Sequence, residues 1–295
     1  MKERNGKGAG VALVLLSAFL YGATPMLTKQ TYLIGSDPLT STLLRASLAL
    51  PLLALIVVLK GESLLLKRHE ILPMTATGLA GGVTMILLAG SYAYIPVGVA
   101  TVMHFVYPVL VALLGRVWLK ERLNGKKLLA LVLSVSGILC FFERGGQVLD
   151  LRGVAMALCS GLTFACYVIL MGRPVIRDMW YMRTAFWNAV FGVVAAGGYG
   201  LVTHGIRTDF DPRCYLYMLA VSVLTMGVAV PALKVGVRRI GSLPASVLST
   251  LEPISSVILS AIFLGETISP MRLLGCVLVI ASVVVIALAE TKRSE

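Results

Sequence analysis

Apolar residues form ten long runs along the chain, separated by short polar segments. The runs cover residues 8–28, 39–59, 71–93, 97–119, 126–142, 151–172, 180–203, 213–236, 243–264 and 271–289. An α-helix rises about 1.5 Å per residue, so each run can cross about 30 Å of hydrocarbon, the fifth only marginally. The runs do not alternate polar and apolar positions as barrel strands do. The pattern therefore predicts an all-α polytopic membrane protein with ten transmembrane helices.

The overall composition agrees with this class and changes little else. Of 295 residues, 58% are hydrophobic and only 14% are charged, with a mean hydropathy of +0.90. Soluble domains carry about 25% charged residues, so this chain has too few charges to coat a soluble body. The net charge of +12 lies in short patches between apolar runs and not on one basic face, which argues against nucleic acid as a partner.

Lysine and arginine alternate in frequency between successive connecting segments. With the N-terminus inside, 19 of the 26 basic residues fall in inside segments, six in outside segments, and Arg45 within a span. Cytoplasmic loops carry this excess, so both termini are predicted to be cytoplasmic, in a multi-pass protein of the cell (inner) membrane. Several aromatic residues fall near predicted span ends, as an interfacial belt requires: Tyr92, Tyr94, Trp118, Trp180 and Tyr181.

The two halves of the chain resemble each other in sequence. At an offset of 145, Ala100 matches Ala245 and Pro108 matches Pro253, while the first and sixth runs align at an offset of 143, Gly10 with Gly153. Five helices per copy is an odd number, so the second copy must enter the membrane upside down. Residues 1–145 and 146–295 are therefore predicted to form two inverted five-helix repeats, an architecture typical of alternating-access transporters.

Several short motifs carry a family resemblance. They are the paired P-x12-E pattern (Pro108/Glu121 and Pro253/Glu266), TLEP at Thr250–Pro253, FLGE at Phe263–Glu266, and Arg45-x-x-x-Ala49. With these motifs the chain resembles the drug/metabolite transporter superfamily, specifically the ten-helix EamA family. The resemblance implies an exporter of amino acids, other small metabolites or amphipathic compounds. It also implies a central cavity lined mainly by helices 1, 3, 4, 6, 8 and 9, with helices 5 and 10 at the periphery.

Glu252 is the most informative polar residue within a predicted span. It lies nine residues into the run that begins at Leu243, about 14 Å deep. A carboxylate facing lipid at that depth is strongly unfavourable, so Glu252 must face a partner or water. It either couples transport to protons or binds a substrate cation, or it is a structural glutamate at the kink of Pro253. The repeat places Tyr107 at the matching position of helix 4.

Other polar residues within the spans are candidates for the same site. Arg45 either binds a substrate carboxylate or pairs with helix carbonyls and outer headgroups, and the repeat aligns it with Asn188. His104 is either a proton carrier or a satisfied structural residue. The remaining candidates lie on helices 1 and 9: Tyr21, Thr24 and Ser249. The serine face of helix 9 (Ser242, Ser246, Ser249, Ser256, Ser260) fits either close helix packing or the wall of a wet cavity.

Four prolines within spans are candidate hinges, because proline removes a backbone donor and bends a helix. They are Pro25, Pro108, Pro231 and Pro253. Glu121 and Glu266 lie at span ends, where capping or a local salt bridge is expected. Small residues in helices 5 and 10 (Ser134, Gly137, Gly275, Ser282) suit either a homodimer or packing within one chain, so monomer and homodimer both stay open.

The function predicted from these features is secondary transport, with export of small organic metabolites by alternating access and with protons as a possible coupling ion. The alternatives are an uncoupled facilitator, a nucleotide-sugar or lipid-type carrier of the same fold, and a membrane scaffold without transport activity. The chain has no GxxxxGK[ST], HExxH or GxSxG motif, so no enzyme activity is predicted. Its five cysteines form no CxxC pair, and no cofactor or metal site is predicted.

Overall fold

The architecture is a bundle of long apolar helices. A computed structural model describes residues 2–107, 109–111, 113–114, 125–140, 149–171, 173–207, 209–240, 248–249 and 251–291. The helices are α1 (Lys2–Leu33), α2 (Pro38–Leu59), α3 (Arg68–Ser91), α4 (Val97–His104), α5 (Gly125–Leu139), α6 (Leu151–Met171), α7 (Tyr181–Thr203), α8 (213–240), α9 (Leu251–Leu264) and α10 (Pro270–Thr291). The described residues contain no strand, so the predicted all-α class is confirmed.

Six of these helices are long and apolar enough to cross a membrane: α1 from Gly8, α2, α3, α6, α7 and α8 to Leu233. Within the described residues, the apolar parts of α5, α9 and α10 span 10–17 residues, and α4 covers the eight residues Val97–His104. The chain is therefore a polytopic membrane protein. The number of ten spans and the cytoplasmic position of both termini stay predictions.

Helix boundaries follow local chemistry. Gly35, with φ +99°, turns the chain after α1, and Asp37 then caps α2. One Asp37 carboxylate oxygen accepts hydrogen bonds from the Leu39 and Thr40 backbone amides at 2.9 and 3.0 Å, while Pro38 occupies the first helical position, where no amide donor is needed. The end of α1 and the start of α2 are thereby fixed next to each other.

The helix α8 is not a uniform α-helix. Residues Val223–Ala229 form a π-helical segment between two α-helical parts, Arg213–Ser222 and Val230–Ile240. Pro231 follows directly and cannot donate a hydrogen bond to the Gly227 carbonyl, which favours a local change of winding. The Ser17 hydroxyl of α1 donates to the Ala229 carbonyl at 2.8 Å, so a neighbouring helix satisfies part of this irregular backbone.

Connecting segments gather at two opposite ends of the bundle. At one end, the Asp211 backbone amide donates a hydrogen bond to the Ile34 carbonyl, and the Arg207 backbone amide donates one to the Thr40 hydroxyl. At the other end, Arg183 of α7 forms a buried ion pair with Glu70 of α3 at 2.8 Å and donates to the Leu65 carbonyl. This grouping agrees with the alternation of segments that the basic residues predict.

Helices α5 and α10 pack against each other. Gly137 faces the Gly275 carbonyl and Val279, and the Ser282 hydroxyl donates to that of Ser134 at 3.4 Å. The small residues of these two helices, which the sequence assigned either to a homodimer interface or to packing within one chain, therefore pack within the chain. This contact supplies no argument for a homodimer.

Replacing Gly137 by leucine is expected to separate α5 from α10. A Cβ atom there would lie 2.8 Å from Val279 Cγ2 and 2.9 Å from the Gly275 carbonyl oxygen, so one helix must move. Overpacking of this kind costs about 1–3 kcal/mol and should lower the thermal unfolding midpoint of the detergent-solubilised protein. Gly198→Leu is the control, because a Cβ at Gly198 has no atom within 4 Å. Equal midpoints for the two variants would contradict the contact.

Candidate functional site

Glu252 lies level with the middle of α1. The Cβ of a side chain at Gly22 would come within 2.5 Å of the Glu252 carbonyl oxygen and 2.7 Å of Ser255 Cβ, so the two backbones touch. Gly22 is well inside the apolar span Gly8–Leu33. Glu252 therefore lies near the middle of the apolar layer, the depth that the sequence predicts for it.

Three tyrosine side chains interact electrostatically with the Glu252 carboxylate. It is within electrostatic range of the Tyr21, Tyr92 and Tyr107 hydroxyls, which reach it from α1, from the end of α3 and from the segment after α4. Tyr21, Tyr107 and Glu252 are each only partly buried, although all three face other helices. They are therefore not part of the fully buried core.

Arg45 joins this group from the opposite side. Its guanidinium, on α2, is within electrostatic range of Tyr21, Tyr32 and Tyr92, so it shares two tyrosines with Glu252. Among the described residues, neither Arg45 nor Glu252 makes a side-chain hydrogen bond or ion pair. Because unpaired charges are unfavourable within an apolar layer, this arrangement calls for water or a bound polar solute. We call Tyr21, Arg45, Tyr92, Tyr107 and Glu252 the central cluster.

His104 has its own hydrogen-bonding partner. It is buried, with its ring Nδ1 2.8 Å from the Ser160 hydroxyl, and that hydroxyl donates to the Ala157 carbonyl at 2.6 Å. A serine has one proton, so Nδ1 of His104 must be the donor to Ser160. This geometry favours the structural interpretation of His104 over a proton carrier.

Aromatic rings of α6 extend the wall of the central cluster. Phe164 packs edge-on against Tyr107, with ring centroids 4.6 Å apart, and stacks on Tyr167 at 5.4 Å. The Tyr167 hydroxyl is within electrostatic range of Tyr21 and accepts a hydrogen bond from the Asn188 amide at 3.0 Å. Asn188 thus reaches the cluster through Tyr167.

Two of the predicted hinge prolines interrupt backbone hydrogen bonding beside the cluster. Pro25 cannot bond to the Tyr21 carbonyl, and the Thr24 hydroxyl donates to that carbonyl instead at 2.9 Å. Pro253 likewise cannot donate a hydrogen bond to the Ser249 carbonyl, which accepts one from the Glu252 amide at 3.0 Å instead. The Thr24 hydroxyl and the Glu252 amide therefore compensate for the prolines, and no contact joins the Thr24 or Ser249 side chain to Arg45 or to the Glu252 carboxylate among the described residues. Pro231 follows the π-helical segment, and Pro108 lies outside the described residues.

The serine face of helix 9 is used for packing where the structure describes it. Ser256 and Ser260 are buried, and Ser256 donates to the Thr101 hydroxyl of α4 at 3.0 Å. Ser242 and Ser246 lie outside the described residues. Close packing of α9 on α4 and α1 is thus the observed role of this face around Ser256.

Glu266 acts as a helix cap, one of the two roles expected for it. Its two carboxylate oxygens accept hydrogen bonds from the Val97 and Gly98 backbone amides at 2.6 and 3.0 Å. These amides are at the start of α4, where no intrahelical acceptor exists. Glu121, the matching residue in the sequence repeat, lies outside the described residues.

Sequence reasoning missed three members of this site. Tyr92, predicted for the interfacial belt, is 3% exposed and points into the bundle, so that prediction is wrong. The position of Tyr92 near the end of an apolar run indicated its depth in the membrane but not the direction in which its side chain points. Phe164 and Tyr167 follow the buried Ser160 at helical spacings of four and seven, a signal that places all three on one face of α6.

Comparison with known proteins identifies the class. The sequence model of the EamA-like transporter family matches residues 8–142 and, a second time, residues 151–288. The chain is 25% identical to the threonine/homoserine exporter RhtA of Escherichia coli (strain K12) over 97% of this chain and 93% of the relative. It is 26% identical to the uncharacterized transporter YvbV of Bacillus subtilis (strain 168), over 68% and 65% of the two chains.

Solved structures share the fold; a crystal structure among them has a TM-score of 0.66 over 98% of this chain and 99% of its own, at 16% identity. Together, the helical bundle and the exporter relatives support a multi-pass membrane exporter of small molecules and point to a transporter rather than an enzyme. More narrowly, the chain belongs to the EamA-like transporter family.

Proposed function

We propose that this protein is a secondary transporter that exports amino acids or related small amphipathic metabolites across the inner membrane by alternating access. The observation that carries this proposal is that two ionisable residues within the spans, Arg45 and Glu252, both interact electrostatically with Tyr21 and Tyr92, and their side chains have no hydrogen-bond or ion-pair partner among the described residues. A scaffold would have no use for two such charges. The name of the RhtA relatives supports amino acids as the solute class.

The central cluster suits a solute that carries both charges. Arg45 offers a rigid guanidinium to a carboxylate, and Glu252 offers its carboxylate to an ammonium group or to a proton. Tyr21 and Tyr92 lie between the two and supply hydroxyls, while Tyr107 and Phe164 give an apolar wall. Protonated, neutral Glu252 and deprotonated, charged Glu252 would differ in their affinity for the solute. This difference is the basis that we propose for proton coupling.

Alternating access needs two units that tilt against each other. The family model matches the chain twice, which supports two five-helix repeats, and the predicted topology inverts the second. The closely touching pair Gly22 and Glu252 brings α1 of the first repeat against α9 of the second beside the site. Bending of the helices at Pro25, Pro231 and Pro253, where backbone hydrogen bonding is interrupted, would open the site to one side of the membrane at a time.

Glu252→Gln should reduce solute flux by about tenfold or more and remove its dependence on pH, because glutamine has neither a charge nor a titrating proton. The measurement is uptake of labelled threonine and homoserine into proteoliposomes with and without an imposed pH gradient. Glu62→Gln is the matched control, since Glu62 is exposed in the segment between α2 and α3. Wild-type flux and pH dependence in Glu252→Gln would refute the coupling role.

A further inference from the structure

A second cavity opens at one end of the bundle, away from the central cluster. Its volume is about 370 Å³, and it lies where α1 ends, between residues 93–96 and 264–267. Small-molecule sites typically measure about 300–1,000 Å³, so the space suffices for a small metabolite. Its lining includes one cation and several apolar side chains: Lys29, Leu33, Ala93, Ile95 and Leu264. We call it the end cavity.

Lys29 gives the end cavity an anion-binding group. Its ammonium donates to the Tyr92 backbone carbonyl and lies 5.7 Å from the centre of the Tyr32 ring. A lysine has three N–H donors, and within the described part of the chain Lys29 forms no ion pair with a carboxylate. Glu266, which also lines the cavity and interacts electrostatically with Lys29, accepts the two amide hydrogen bonds that cap α4. Lys29 therefore keeps N–H donors that a ligand can use.

Tyr92 links the end cavity to the central cluster. Its hydroxyl interacts electrostatically with Arg45 and Glu252 in the cluster and also with Glu266, which lines the end cavity. Its ring is buried, and its backbone carbonyl accepts a hydrogen bond from Lys29.

We propose that the end cavity is a second binding subsite for the exported solute, in which Lys29 binds its carboxylate and the Leu33, Ile95 and Leu264 side chains contact its apolar part. The topology predicted from the basic residues places this cavity on the outer side, so solute leaving the central cluster would stop there before release. This subsite rests on the proposed function, because it takes the solute to be an amino acid.

The test is protection of a cysteine placed in the cavity. Ala93 is exposed and lines the cavity, so Ala93→Cys, with the five native cysteines replaced by serine, should react with a membrane-impermeant maleimide. The probe ligands are the twenty proteinogenic amino acids, and each that protects is compared with its carboxamide. Since only the unoccupied fraction reacts, a ligand at ten times its dissociation constant should slow labelling about tenfold. The carboxamide, which lacks the carboxylate, should not.

Variants at Lys29 decide whether this residue carries the binding. Lys29→Gln should abolish protection, while Lys29→Arg, which keeps the charge, should retain it. Glu62→Cys, at the opposite end of the bundle, should label at the same rate with and without amino acids. Protection that is unchanged in Lys29→Gln, or equal for acid and carboxamide, overturns the proposal.

The assay separates this subsite from the central one and from lipid. Labelling in detergent micelles needs no flux, so Glu252→Gln should stop transport yet keep protection at Ala93→Cys. Amino acid transport without any protection would refute the end subsite and leave the proposed function standing, whereas protection without transport would do the reverse. Protection by added phosphatidylglycerol in place of amino acids would assign the cavity to a lipid headgroup and overturn the proposal.

Discussion

Arg183→Met is expected to destabilise the protein by about 3–5 kcal/mol, because it leaves the Glu70 carboxylate buried without its partner. The two side chains are 8% and 9% exposed, and their shortest N–O distance is 2.8 Å. The same substitution removes the donor to the Leu65 carbonyl. The measurement is the free energy of unfolding in mixed detergent micelles, together with the thermal midpoint.

The control is Arg152→Met, which breaks an ion pair of similar length between exposed residues. Arg152 and Asp150 are 2.6 Å apart, with side chains 72% and 31% exposed, and water replaces the lost contact. No measurable change is expected there. The double variant Arg183→Met with Glu70→Gln should recover part of the loss, since no lone charge stays behind. If Arg183→Met and Arg152→Met behave alike, the buried pair does not stabilise this end of the bundle.

Gly22→Ala is expected to disrupt the contact between α1 and α9 and to reduce solute flux by about tenfold or more. The added Cβ would lie 2.5 Å from the Glu252 carbonyl oxygen, a backbone atom that cannot turn aside. Overpacking costs about 1–3 kcal/mol, and a shift of even 1 Å at a binding residue can lower activity about a hundredfold. Flux in proteoliposomes and the thermal midpoint should both be measured.

Gly8→Ala is the matched control on the same helix. A Cβ at Gly8 has no atom within 4 Å, so neither flux nor stability should change. If Gly22→Ala keeps the thermal unfolding midpoint but loses flux, the glycine is needed to position Glu252 and not to stabilise the fold. Wild-type flux in Gly22→Ala would mean that α1 and α9 do not touch at this point.

Helix positions were largely predictable from the sequence because apolar runs report directly on buried length. The sixth run, predicted at 151–172, corresponds to α6 at Leu151–Met171, and the seventh, at 180–203, to α7 at Tyr181–Thr203. The first run, in contrast, ends at 28 while α1 continues to Leu33. Polar residues close the apolar pattern there, yet the helix continues because Lys29 finds an acceptor in the Tyr92 carbonyl.

Site geometry was harder to predict because sequence gives depth but not direction or distant partners. Glu252 and Tyr107 were paired through the repeat, and they do lie within electrostatic range of each other. The partnership of Glu70 with Arg183, 113 positions apart, has no local signal. Pro231 indicated a hinge in this helix, but the π-helical winding depends on packing such as the hydrogen bond from Ser17.

The π-helical segment of α8 makes the two repeats unequal in their winding. A wider turn accommodates an additional residue within a continuous helix. At the offset of 145, the position that matches Val223 is Gly78 in α3, where the helix is regular. A π-helical turn holds more residues than an α-turn, so the residues after Ala229 lie on a different side of α8 from the one that regular winding would give them. Bending of α8 is therefore expected at Val223–Ala229, a segment without a counterpart of the same winding in α3.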